Sequence, residues 1–138
     1  MSVGPGNEAY ERSVAAQRRW QAEVAKGTLS IQEVAALLDP GQPDPARVAQ
    51  LAEAGELLGV LHEGVLKFPK YQFSGADIRE AIPQLMALAK RGGIPPWDVA
   101  YWMISPSSLF AAQDRPMDHL DDPDELLTAA RYEFETIW

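Results

Sequence analysis

The sequence predicts a mainly α-helical fold with one small β-hairpin. Apolar residues recur at three- and four-residue spacing through several stretches, which is the period of one helix face. Gly and Pro cluster between those stretches, where they interrupt helices. Between residues 57 and 68 the pattern changes to two short apolar runs around a tight turn, the mark of a hairpin. A length of 138 residues fits one domain, or two very small ones, with enough chain to bury a core.

The elements follow in order. Residues 1–7 hold two Gly and one Pro and read as a loose arm. Residues 8–26 lack both and form a helix in which Ala16, Trp20 and Val24 make one apolar stripe; Gly27 stops it. Ser30 caps a short helix with Glu33 three residues on, the reciprocal capping-box spacing. Ile31, Val34, Ala35 and Leu38 are its apolar face. The stretch from Asp39 to Pro45 contains three prolines and a glycine and must turn. Asp44 caps the next helix with Pro45 at its first position, Val48, Leu51 and Ala52 face inward, and Gly55 closes it. Leu57-Leu58-Gly59-Val60-Leu61 and Val65-Leu66-Lys67-Phe68 pair around His62-Glu63-Gly64, with Gly where positive φ is expected.

Pro69 ends the hairpin, and Lys70-Tyr71-Gln72-Phe73 reads as extended. Residues 77–91 read as a helix with Ile78, Ile82, Leu85, Met86 and Leu88 apolar and Pro83 in its first turns; Gly92-Gly93 ends it. Pro95-Pro96 opens a helix over residues 97–104. Residues 107–114 are a loop and residues 116–120 one helical turn. Asp122, followed by Pro123, caps a final helix to about Phe134. Three segments result: an N-terminal arm and helix (1–27), a helix-turn-helix-hairpin unit (28–74) and a small helical domain (75–138).

The charge is −8 and unevenly spread. Residues 1–74 carry seven basic and nine acidic side chains, whereas residues 75–138 carry five and eleven. A near-neutral front and an acidic rear suggest two surfaces with different partners. Broad, nonspecific nucleic-acid binding needs many cations and is disfavoured. No apolar run approaches a membrane span, so no membrane partner is expected. Residues 1–7 lack the basic and apolar regions of a signal peptide, and the expected location is cytoplasmic. The absence of Cys excludes disulfides, thiolate metal sites and a cysteine nucleophile.

Residues 30–38, 46–51 and 54–60, with Lys67-Phe68-Pro69 closing the hairpin, resemble the small winged helix-turn-helix of the excisionase and MerR type. The resemblance implies that the second helix enters the DNA major groove while the wing touches the backbone. Arg47 and Gln50 on that helix, and Lys67 and Lys70 on the wing, are the candidate DNA contacts. Asp39, Asp44, Glu53 and Glu56 oppose them, so DNA contact is expected through a dimer or beside a basic partner.

In the rear half, Trp97, Trp102, Met103, Pro106, Leu109, Arg115, Pro116, Leu120, Leu127 and Ala130 sit in the order seen in the toxin-binding domain of Xre/MbcA/ParS antitoxins. Phe68-Pro69-Lys70-Tyr71-Gln72-Phe73 also resembles a Phe-Pro-x-x-Gln-Phe string found before that domain in some relatives. The resemblance implies a type II antitoxin that neutralises a RES-domain, NAD-consuming toxin by occluding its active site, with operator DNA as a further partner for autoregulation. It also implies a homo-oligomer or a hetero-oligomer with the toxin. An acidic segment suits a cleft lined with cations for a pyrophosphate. The candidate toxin contacts are Trp97, Trp102, Arg115, Arg131, Tyr132, Phe134 and Trp138. Trp97 and Trp102 are five residues apart and do not share one helix face. Either one is exposed, or both pack in a small core. Phe134 and Trp138 likewise either anchor an interface or fold back onto the chain's own core. The alternative function is a stand-alone transcriptional regulator of the excisionase or MerR type.

No enzyme chemistry or cofactor site is expected. His62 and His119 lack metal-type spacing, and Gly92-Gly93 is not followed by the Lys and Ser/Thr of a phosphate loop. Asp118, Asp121, Asp122 and Asp124 lack the spacing and the central Gly of a calcium loop.

Overall fold

The computed structural model describes residues 18, 19, 22, 24 and 27–135. Most of the arm-and-helix segment, including Trp20, lies outside them, as does Trp138. In chain order the described elements are β1 (Thr28–Ser30), α1 (Ile31–Leu38), α2 (Pro45–Glu53), β2 (Val60–His62) and β3 (Val65–Pro69), then a 3-10 turn (Lys70–Gln72), β4 (Phe73–Ser74) and β5 (Asp77–Ile78). The helices α3 (Ala81–Arg91) and α4 (Pro96–Ile104) follow, then a second 3-10 turn (Pro116–His119) and α5 (Pro123–Glu135). The fold is mainly helical, with a winged helix-turn-helix-like unit followed by a small helical domain.

The caps form where the sequence places them. The Ser30 hydroxyl accepts from Glu33 N at 3.1 Å, and the Glu33 carboxylate accepts from Ser30 N at 2.8 Å. The proline-rich turn is a built structure. Asp39 Oδ1 accepts from Gln42 N at 3.2 Å, and Asp44 Oδ1 accepts from Ala46 N and Arg47 N at the start of α2. Both carboxylates therefore hold backbone, and the turn fixes how α2 leaves α1.

The hairpin turns on two residues. Glu63 and Gly64 both have positive φ, and His62 pairs with Val65. That is the primed turn whose twist matches antiparallel strands. Sequence pattern alone does not reveal β1, which pairs antiparallel with β3 (Leu29 opposite Phe68), giving a three-stranded sheet in the order β1-β3-β2. Leu57 and Leu58 precede the ladder. The side chain of the fully buried Gln72 occupies Leu58's backbone instead: Oε1 accepts from Leu58 N at 2.8 Å, and Nε2 donates to Leu58 O at 2.8 Å and Pro69 O at 3.0 Å.

Two expectations are corrected. Residues 70–73 are not a continuous extended piece, because the Phe73 N–H closes on Lys70 O and winds Lys70–Gln72 into a 3-10 turn before β4. The helix expected from residue 77 begins at Ala81. Asp77 and Ile78 instead pair with Ser74 and Phe73 across Gly75, whose φ is positive. Pro83 then falls in the first turn of α3, where helix amide hydrogens have no carbonyl partner and their loss is harmless.

Two hydrophobic clusters result. Val34, Ala35, Val48, Leu57, Phe68 and Phe73 form the core of the winged unit. The larger cluster joins α3, α4 and α5 through Ile82, Leu85, Val99, Met103, Phe110 and Leu126, among others. Leu58 and Val60 belong to this second cluster although they lie in the wing segment. The β4–β5 pair spans the boundary at residues 74–75, and Ile78 packs against both clusters. The two units therefore share a seam. Among the described residues no helix is long and apolar enough to cross a membrane.

Candidate nucleic-acid and protein interfaces

The residues expected to meet DNA fall in two places. Arg47 and Gln50 are three apart on α2, one turn of the same face, and both are exposed. The opposite side of α2 is anchored by Val48, which is fully buried. Lys70 is exposed beside the wing, and Lys67 is half-buried in β3 between Ser30 and Val60. These two lysines lie by the start of α1. The Glu33 carboxyl there is held below its usual range, first by the Ser30 backbone and hydroxyl hydrogen bonds and then by the Lys70 and Lys67 charges. Within residues 28–74 three basic side chains face six acidic ones. Two of the six, Asp39 and Asp44, are occupied as caps.

The residues expected to meet a toxin divide differently. Trp102 and Phe134 are core residues: each is buried, and their rings, one from α4 and one from α5, meet edge to face at 5.1 Å. As surface contacts they are corrected; burying both rings in the small helical core outweighs exposing them. Trp97 is half-buried and points the other way, toward the wing. Its Nε1 donates to Leu61 O at 2.8 Å, and its ring meets His62 edge-on at 6.1 Å. Arg115 is engaged by Asp118 through its backbone N and its guanidinium at 3.1–3.3 Å, an arrangement that starts the second 3-10 turn. Arg131 and Tyr132 are exposed on α5, Tyr132 at 62%. Trp138 lies outside the described residues.

Beside Tyr132 runs a shallow groove of about 490 Å³. Leu109, Thr128, Ala129 and Tyr132 line it together with Asp122, Asp124 and Glu125. His119 supports this end of the molecule. Its ring stacks on Phe110 at 4.0 Å, Nε2 is 2.6 Å from Asp114 Oδ1, and Nδ1 is 3.6 Å from Glu125. The Asp114 hydrogen bond raises the His119 pKa, with the Asp114, Glu125 and Asp118 charges adding to it and partial burial opposing. Among the described residues no three His, Asp or Glu side chains are grouped as a metal site, the 118–124 carboxylates included.

Within these sites two contacts escape a reading of the sequence. Gln72 is one; its only signal is its place in the Phe-Pro-x-x-Gln-Phe string. The Trp97–Leu61 bond is the other, and 36 residues separate its ends.

A winged helix-turn-helix-like unit carrying a helical domain is the class this geometry defines. No family model matches the chain, and no curated protein matches it. Among solved structures it is similar to the NMR structure of Rv2175c, with 23% identity, 78% of this chain and 80% of that chain covered, and a TM-score of 0.68. At that identity the likeness concerns the fold alone.

Proposed function

We propose that the chain is a DNA-binding regulator whose contact surface is α2 with the adjoining wing. The observation that carries this reading is the presentation of α2. It is capped at its start, anchored through Val48, and leaves Arg47 and Gln50 exposed one turn apart. Arg can bind guanine and Gln adenine in bidentate fashion, two of the pairings by which such a helix reads base edges. Lys67 and Lys70 supply phosphate contacts from the wing side. With so few cations the affinity rests on specific contacts, and its dependence on salt is shallow.

The test is selection from a random duplex library, followed by binding measured with Arg47→Ala and Gln50→Ala. Enrichment of one sequence, with each substitution weakening it by roughly 1–3 kcal/mol and relaxing preference at one base position, supports the reading. A library without enrichment rejects it.

A second reading, an antitoxin for a NAD-consuming toxin, draws on Arg131 and Tyr132 beside the acid-lined groove. An aromatic anchor within carboxylates suits a cationic cleft. Co-expression with a neighbouring RES-domain reading frame tests it: a complex lost on Tyr132→Ala favours it, and separate elution of the two proteins rejects it.

A further inference from the structure

The exposed face of α5 is self-complementary, and the geometry points to a second copy of this chain as its occupant. Residues Asp124, Glu125, Thr128, Arg131 and Tyr132 are all exposed, while Leu126, Leu127, Ala130 and Phe134 point into the core. At about 100° per residue the exposed five form one stripe with Thr128 at its centre. Asp124 and Arg131 lie on one side of the stripe, Glu125 and Tyr132 on the other.

A two-fold axis across Thr128 sets two α5 helices antiparallel. Such an axis keeps each side of the stripe with itself and reverses it end to end. Arg131 then faces the other copy's Asp124, and Tyr132 faces the other copy's Glu125. Each pairing occurs twice. The guanidinium meets a carboxylate, and the phenol O–H donates to a carboxylate.

The centre of the stripe suits close approach. Thr128 at that centre is small, and with Leu109 and the buried Ala129 it lines the groove of about 490 Å³ into which the other copy's Tyr132 ring fits. Leu109 and Tyr132 are both exposed large hydrophobic groups, and this contact covers them. Two features oppose the contact: Glu135 adds a like charge at the stripe's far end, and Glu125 already lies 3.6 Å from His119 Nδ1. The contact stands independently of DNA binding, although two copies would present two α2 helices to paired half-sites.

The test is sedimentation equilibrium of the full chain, with circular dichroism melting as a folding control. The wild type is expected to form a dimer. Arg131→Asp and Asp124→Arg each weaken it at least tenfold with unchanged melting, and the double swap restores it. Tyr132→Ala also weakens it. A wild type that stays monomeric at every concentration overturns the inference, as does a dimer indifferent to all of these substitutions. A dimer weakened by both single swaps but not restored by the double overturns the antiparallel register. Failure of DNA selection leaves these readouts untouched, so the two proposals fail separately.

Discussion

The indole Nε1 of Trp97 donates to the carbonyl oxygen of Leu61 at 2.8 Å, and that bond ties the tip of the wing to the helical domain. Leu58 and Val60 strengthen the tie by burying their side chains in the helical core. The wing therefore has one position relative to α4, and the two units are expected to unfold together.

Trp97→Phe keeps a ring in place and removes the donor. The expected loss is about 1 kcal/mol, the usual net worth of one hydrogen bond, with a single unfolding transition retained. Urea denaturation followed by both circular dichroism and fluorescence checks this. Two separated transitions in the wild type would show that the units are not coupled.

Gln72 is the buried polar group on which the wing's start depends. Gln72→Leu leaves Leu58 N–H and C=O without partners, and the expected loss is about 2–3 kcal/mol. Gln72→Glu keeps the acceptor for Leu58 N but replaces the donor. Its carboxylate then faces the oxygens of Leu58 and Pro69. Its destabilisation should grow as the pH rises through the carboxylate range, whereas that of Gln72→Leu stays flat. Denaturation midpoints at several pH values separate the two.

The paired glycines have different physical reasons. A Cβ on Gly92 would lie 2.6 Å from the backbone oxygen of Phe134, so α3 and α5 could not approach as they do. Gly92→Ala should cost about 1–3 kcal/mol through overpacking. Gly93 has φ +70° and open space around its α-carbon. Gly93→Ala should cost about 1 kcal/mol from the left-handed backbone alone. Thermal melts of the two variants check the order; equal effects would remove the close-approach argument.

His119 makes stability depend on pH in a defined direction. Its folded pKa is raised above the ordinary value of 6.5, chiefly by Asp114. The charged ring is therefore favoured in the fold. That contribution is fully present below 6.5 and is lost as the pH rises through the folded value. The stability gap between wild type and His119→Gln should narrow from pH 6 toward pH 9. A gap that widens over that range contradicts the assignment. Glu33 and Asp118, whose pKa values are lowered, act in the opposite sense and only in acid.

Local chemistry was legible in the sequence where neighbours decide the structure. The Ser30–Glu33 box, the Asp44 cap with Pro45, and the glycine turn at residue 64 depend on residues within four positions, and each formed as read. What was not legible depends on distant partners. The strand β1 exists because β3, some 40 residues on, pairs with it. Asp77 and Ile78 carry a helical apolar pattern but join β4 because Gly75 permits the turn. The candidate sites show the same limit. An aromatic residue at a helical position reads identically whether it faces a partner or its own core, and Trp102 and Phe134 went inward because they meet each other. Arg47 and Gln50 were easier to place, since the apolar Val48 beside them fixes which side of α2 is exposed.

Contact of α2 and the wing with DNA can be read residue by residue. A duplex recovered by selection is titrated into the isotope-labelled chain, and amide shifts are followed by NMR. The largest shifts are expected at Arg47, Gln50 and their α2 neighbours, with smaller ones at Lys67 and Lys70. Shifts confined to α5, or none at all, would contradict it.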